Sequence, residues 1–380
     1  MTILLLLVGF FGHRLYKFGP TATVFLIYVG LYVLAGLWSD APLDAMKYKG
    51  LYGLVALAGL MLAQGLRDFR DLELGMRALA VGIAIFAVLM VLDFLKHPNL
   101  ILHRGRLGFW GINPNRIGQT LAPMLIVLAY LALYDRTRIW RLSAYAIGII
   151  VGIQLMYTGS RGAVGEAALG CFVIAIPLFK RPGMLIVVGA IVGIAVLFTF
   201  ITAGSDAPVR LLHGSLETRE GIWAYARSQF AEAPLFGKGW IYNTTERGLS
   251  SRNMHSIYLQ TAVEVGLLGI TVMGIMLLVV ITRGIGMFKY VKSVGIETHT
   301  VYLAWAFVIA VLGHGIIEAG SVRGGTINGL MLPFGLGLFD RLPTLVRAAR
   351  QQWVESEQIE SEFDDNEDQL LTNDDAFANA

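Results

Sequence analysis

Apolar runs of about twenty residues recur along most of the chain, each long enough to cross a hydrocarbon core of roughly 30 Å. They predict helical spans near residues 20–38, 48–66, 78–95, 117–134, 142–158, 162–179, 184–203, 257–281, 300–318 and 325–340, after a shorter run at Ile3–Gly12. Alternating segments of the kind a β-barrel needs are absent. The expected fold is an all-α polytopic membrane protein, a bundle of about 10–12 transmembrane helices over residues 1–350 with one large polar loop at 204–256.

Lys and Arg in the short breaks set the expected sidedness. Arg14 and Lys17, then Arg67, Arg70 and Arg77, then Arg136, Arg138 and Arg141 fall in alternate loops. Lys180 and Arg181, then Arg283, Lys289 and Lys292, then Arg341, Arg347 and Arg350 continue that series, which is placed in the cytoplasm. Residues 39–47, 96–116, 159–161, 204–256 and 319–324 then face outward. Parity puts the N-terminus outside through a run too short to span, which favours a truncated or misassigned start. No cleavable signal peptide is evident before Phe18.

Composition alters the picture at two points. The last thirty residues hold ten acids and no Lys or Arg, so the formal charge of +3 divides into +13 for residues 1–350 and −10 for the tail. Such a tail, poor in large apolar residues, is expected to be disordered in the cytoplasm. The single cysteine, Cys171, lies in an apolar run and leaves no intrachain disulfide to form.

The outer breaks are basic although they fall outside the cytoplasmic series, which suggests that their cations serve a ligand. Residues 204–256 carry Arg210, Arg219, Arg227, Lys238, Arg247 and Arg252 and end in Asn253-Met254-His255-Ser256. Ser215 or Thr218 can cap a helix from Arg219 to about Glu232, stopped by Pro234. Arg219, Ile222, Trp223, Ala226 and Phe230 share one face of it, which suits a helix lying on the membrane, and Arg219 can meet an anion at its N-terminus. An interfacial anchor touching lipid phosphates is the plainer reading. Gly237-Lys238-Gly239 permits a tight turn that presents Lys238.

Tyr157-Thr158-Gly159-Ser160-Arg161-Gly162 sets a guanidinium at the outer rim, with Glu166 or Glu264 as possible salt-bridge partners. Asn115 is read as the N-cap of the span at 117–134, with Arg116 in its first turn and Arg104 and Arg106 nearby. His255 opens the span at 257–281 and can exchange a proton with a substrate or serve as a polar cap. His314, Glu318 and Arg323 can join the same pocket. Cations from several segments around a histidine suit transfer chemistry in which a phosphate-bearing group departs. No metal set is evident, and no Walker A, H-E-x-x-H or G-x-S-x-G motif occurs.

His255-Ser256, nine residues, Gly266, two residues and Gly269 resemble the H-[NSQ]-x9-G-x-x-[GTY] signature of the bacterial O-antigen ligases and related O-antigen polymerases. Ser160-Arg161-Gly162-Ala163, Asn113-Pro114-Asn115, Arg219 with Trp223, and Pro234-Leu235-Phe236-Gly237 before Gly239 extend the similarity over residues 100–340. Ser256 departs from the Asn often found after that histidine. The resemblance implies a GT-C-like membrane glycosyltransferase of the bacterial inner membrane, acting at the periplasmic face without metal or cofactor and with inversion. It implies an undecaprenyl-diphosphate-linked glycan as donor and lipid A–core or another glycan as acceptor. By position, Arg161 and Arg219 would hold the diphosphate and His255 would serve the acceptor. Asn115, Arg116, Lys238, Arg210, Arg252, Glu264, Glu318 and Arg323 are the further candidates for substrate contact.

A repeat-unit polymerase with the same donor is the nearest alternative. A polysaccharide or lipid transporter is a more distant one, because Asp93, Glu166, Glu264 and Glu318 lie mostly towards one end of their spans and no internal duplication is visible. The lipid bilayer is an expected partner and nucleic acid is not.

Overall fold

The computed structural model describes residues 18–96, 102–103, 106–109, 112–180, 217–240, 254–295, 298–316, 318 and 327–377. Ten α-helices lie among them: α1 Pro20–Leu34, α2 Pro42–Gln64, α3 Phe69–Lys96, α4 Pro114–Tyr134, α5 Arg138–Tyr157, α6 Arg161–Ala175, α7 Glu217–Glu232, α8 Ile257–Ser293, α9 His299–His314 and α10 Asn328–Phe377. A two-stranded hairpin, β1 Leu102–His103 with β2 Arg106–Leu107, joins α3 to α4. Among the described residues, α3, α4, α5, α8 and the helical stretch Arg161–Phe179 are long and apolar enough to cross a membrane, while α1 and α9 are shorter apolar helices. The architecture is all-α and polytopic, as the apolar runs predict. The runs at Ile3–Gly12 and 184–203 lie outside the described residues.

Burial separates the helices into two kinds. Helix α4 is the most enclosed of the five long spans, packed against α5 and α6, whereas α3 and α5 turn Ile85, Leu89, Leu92, Ile149 and Ile153 outward. Outward apolar side chains need hydrocarbon around them, and a bilayer supplies it. Helix α9 packs between α6 and α10, α10 lies along α2, and α1 lies along α8.

Short polar contacts close the loops at the end away from His255. Asp340 on α10 accepts from the Thr21 and Ala22 N–H groups at 3.3 and 2.8 Å, satisfying the free donors of the α1 N-terminus. Arg77 on α3 grips Asp135, in the α4–α5 turn, through two 2.8 Å hydrogen bonds. Burial alone would push the Asp135 carboxyl up, but Arg77 and the Thr137 N–H hold it below its ordinary range.

Two local expectations are corrected. Asn113, not Asn115, caps α4: its side chain accepts from the Asn115 N–H at 2.9 Å, and Pro114 fills the first helical position, where no N–H is needed. Helix α7 does not rest its aromatic face on open membrane, because Ala226 is buried with Met254 and Val263, and Ile222, Tyr225, Phe230 and Leu259 pack around them. Helix α10 runs on through Phe377. From Gln351 onward the sequence has no Gly or Pro to stop a helix, and its Glu and Gln are good helix formers.

Candidate functional site

The site end is built on a break in α8. At Gly266 the backbone turns to φ 72°, ψ −159°, which interrupts the ladder of helical hydrogen bonds and strands polar groups on both sides. Pro234–Gly239 fills that gap. The Lys238 and Gly239 N–H groups donate to the Val263 and Glu264 carbonyls at 2.8 and 3.1 Å. The Leu267 and Leu268 N–H groups donate to the Pro234 and Leu235 carbonyls at 2.7 and 3.3 Å. An unpaired buried backbone group costs about 1–3 kcal/mol, so the clip replaces much of what the break removes.

Glycine is required on both sides of this clip. A Cβ on Gly266 would lie 2.5 Å from the Leu235 carbonyl, and one on Gly237, at φ 69°, would lie 2.5 Å from the Glu264 backbone. Lys238, expected to present its charge to a ligand, instead donates from Nζ to Gln229 Oε1 at 3.0 Å and pairs with Glu232, both on α7. It fastens α7 to the clip.

His255 stands just before α8, with φ 49°, a left-handed conformation that histidine tolerates better than most residues. Ser256 follows as N-cap, and the Ile257 N–H donates to the Gly315 carbonyl at 2.8 Å, tying the start of α8 to the end of α9. His255 Nδ1 lies 3.2 Å from Glu318 Oε2, with side-chain exposures of 26% and 10%. The Glu318 N–H donates to the His314 carbonyl at 3.0 Å, so the end of α9 also fixes this carboxylate. An imidazole whose Nδ1–H is held by a carboxylate leaves Nε2 to accept a proton.

A second histidine–carboxylate pair lies deeper. His314 Nδ1 is 2.8 Å from Glu166 Oε2, and the Asn328 amide donates to the same oxygen at 3.0 Å. All three side chains are buried. Glu264 is equally enclosed: Lys49 of α2 lies 2.7 Å from its Oε2, and Gln260 donates to its other oxygen. The two carboxylates read as possible partners of Arg161 are therefore engaged by other residues.

Arg161 is exposed at the first position of α6, and Arg116 is exposed in the first turn of α4. Asn115 Oδ1 accepts from Arg106, whose Nε also donates to the Thr158 carbonyl at 2.7 Å. Arg106 is thus a buried latch between the hairpin and the α5–α6 turn rather than part of an open rim. Arg219 occupies the first turn of α7, seven residues before the buried Ala226. Arg210, Arg252 and Arg323 lie outside the described residues. Among the described residues no group of three or more His, Cys, Asp or Glu could hold a metal ion.

Lys49, Gln260 and Asn328 are polar residues of the site end that no motif in the sequence marks. Lys49 had a usable signal, an ammonium within an apolar run that burial makes costly without a partner. The left-handed turn at His255 had none.

These features define a polytopic helical membrane protein with a partly exposed histidine–carboxylate pair at the mouth of a broken helix. Residues 146–274 match the family model described as O-antigen ligase, so the resemblance to that family is borne out over this stretch, which includes Arg161, Arg219, His255, Gly266 and Gly269. No curated protein matches the chain.

Proposed function

We propose that the chain is a GT-C-like glycosyltransferase of the bacterial inner membrane. It moves a glycan from undecaprenyl diphosphate to a hydroxyl of lipid A–core or a similar acceptor at the periplasmic face. The observation that carries this reading is the half-open His255–Glu318 pair, whose histidine lies inside the stretch that matches the O-antigen ligase family model. The acceptor oxygen attacks the anomeric carbon as the bond from that carbon to the diphosphate oxygen breaks. Its proton passes to His255 Nε2, while Glu318 accepts from Nδ1–H and stabilises the imidazolium. The bonding pair leaves on the diphosphate, where Arg161 and Arg219 meet the growing charge. Guanidinium groups suit this because their fork matches phosphate oxygens and they stabilise the departing group more than the bound donor. The step uses no metal.

The test is reconstitution of the full chain in vesicles with an undecaprenyl-diphosphate oligosaccharide and, in parallel, lipid A–core or no added acceptor. Product on lipid A–core alone supports a ligase. Lengthening of the undecaprenyl-linked glycan without it indicates a polymerase. Arg161→Ala and Arg219→Ala are each expected to lower turnover by about 10²-fold or more at unchanged membrane level. Full turnover in both variants would remove the guanidinium groups from the mechanism.

A further inference from the structure

Three polar residues of α2 and α8 form a buried chain that ends on the backbone beside His255. Lys49 sits 2.7 Å from Glu264 Oε2 and 4.2 Å from the Tyr32 ring centroid. Glu264 Oε1 accepts from the Gln260 amide nitrogen. Gln260 Oε1 in turn accepts from the Met254 N–H at 3.2 Å. Lys49, Glu264, Gln260 and Met254 are all buried. We infer that Lys49, Glu264 and Gln260 are positioning residues that hold the His255 turn in its left-handed form through the Met254 amide. The inference rests on the reading of His255 as the acceptor-side group.

Hydrogen-bond polarity sets the direction of this chain. A carboxylate paired with an ammonium only accepts, so Gln260 must turn its NH2 group toward Glu264. Its oxygen is then fixed toward Met254, whose N–H would otherwise be buried without a partner. Reversing the amide would set NH2 against N–H and release the residue preceding His255. A non-glycine φ of 49° is costly unless its surroundings determine it, and this chain supplies such a constraint on its N-terminal side. The ion pair thus fixes the direction of an amide two contacts away, and with it the place of an imidazole.

The double variant Lys49→Met with Glu264→Gln removes both charges together, so no lone charge is left buried. It also lets residue 264 offer NH2 to Gln260 and frees the amide to reverse. In the reconstituted full chain, kcat for transfer to lipid A–core is expected to fall about tenfold, with KM for the undecaprenyl-diphosphate oligosaccharide unchanged. Gln260→Leu should give a similar loss, and the triple variant no further one, because the three residues act as one chain. Backbone hydrogen exchange at Met254 is expected to quicken in each variant. Unchanged exchange would overturn the inference whether or not the protein transfers glycan. Wild-type kcat in the double variant, or a raised KM with kcat intact, would also overturn it. Absence of transfer by the wild-type chain would count against the proposed function, and the exchange measurement would still decide the positioning role.

Discussion

His255 and His314 each meet a glutamate through Nδ1, yet their surroundings give them different work. His314 and Glu166 are sealed among α6, α9 and α10, 2.8 Å apart, with side-chain exposures of 3% and 0%. His255 and Glu318 are looser at 3.2 Å, and 26% of the imidazole is exposed. A sealed pair joins helices and cannot reach a substrate. An open pair at a helix start can, and its strained backbone is a cost that the packing around it must offset. Residue types alone do not separate the two. Exposure does.

Removing the sealed partner is the largest expected perturbation of stability. His314→Ala leaves the Glu166 carboxylate buried with Asn328 as its remaining described partner, at a cost of about 3–5 kcal/mol. Membrane level and thermal stability in detergent should fall, while the surviving protein keeps its turnover per molecule. If His314→Ala instead accumulated normally and lost turnover, the sealed pair would belong to the chemistry and the contrast would be reversed.

Gly266→Ala should have the next largest effect, about 2–3 kcal/mol, because a Cβ there meets the Leu235 carbonyl in a conformation that alanine rarely adopts. Thermal unfolding reads the loss. A variant as stable as the wild type would show that the clip does not need glycine at the break.

The bundle was legible because its signal is additive: twenty apolar residues in a row announce a span whatever their neighbours. The two glycines of the signature could be found from spacing, but their purpose, a break filled by the clip at Pro234–Gly239, could not. That purpose depends on which backbone groups meet across about thirty residues of chain. Lys238 shows the same limit in reverse. Its charge between two glycines reads as a ligand site, whereas Gln229 and Glu232, nine and six residues upstream, engage it. Asn113 and Asn115 flank the same proline, and only the backbone decides that Asn113 is the one that caps.

The open histidine is proposed to serve transfer and not to hold the fold. His255→Asn tests it most directly, since asparagine accepts the left-handed backbone but cannot take up the acceptor's proton. Measured in one vesicle preparation, transfer from the undecaprenyl-diphosphate oligosaccharide should fall about 10²–10⁴-fold while thermal stability stays at the wild-type value. Wild-type transfer by that variant, or a loss of stability in step with the loss of turnover, would contradict the account.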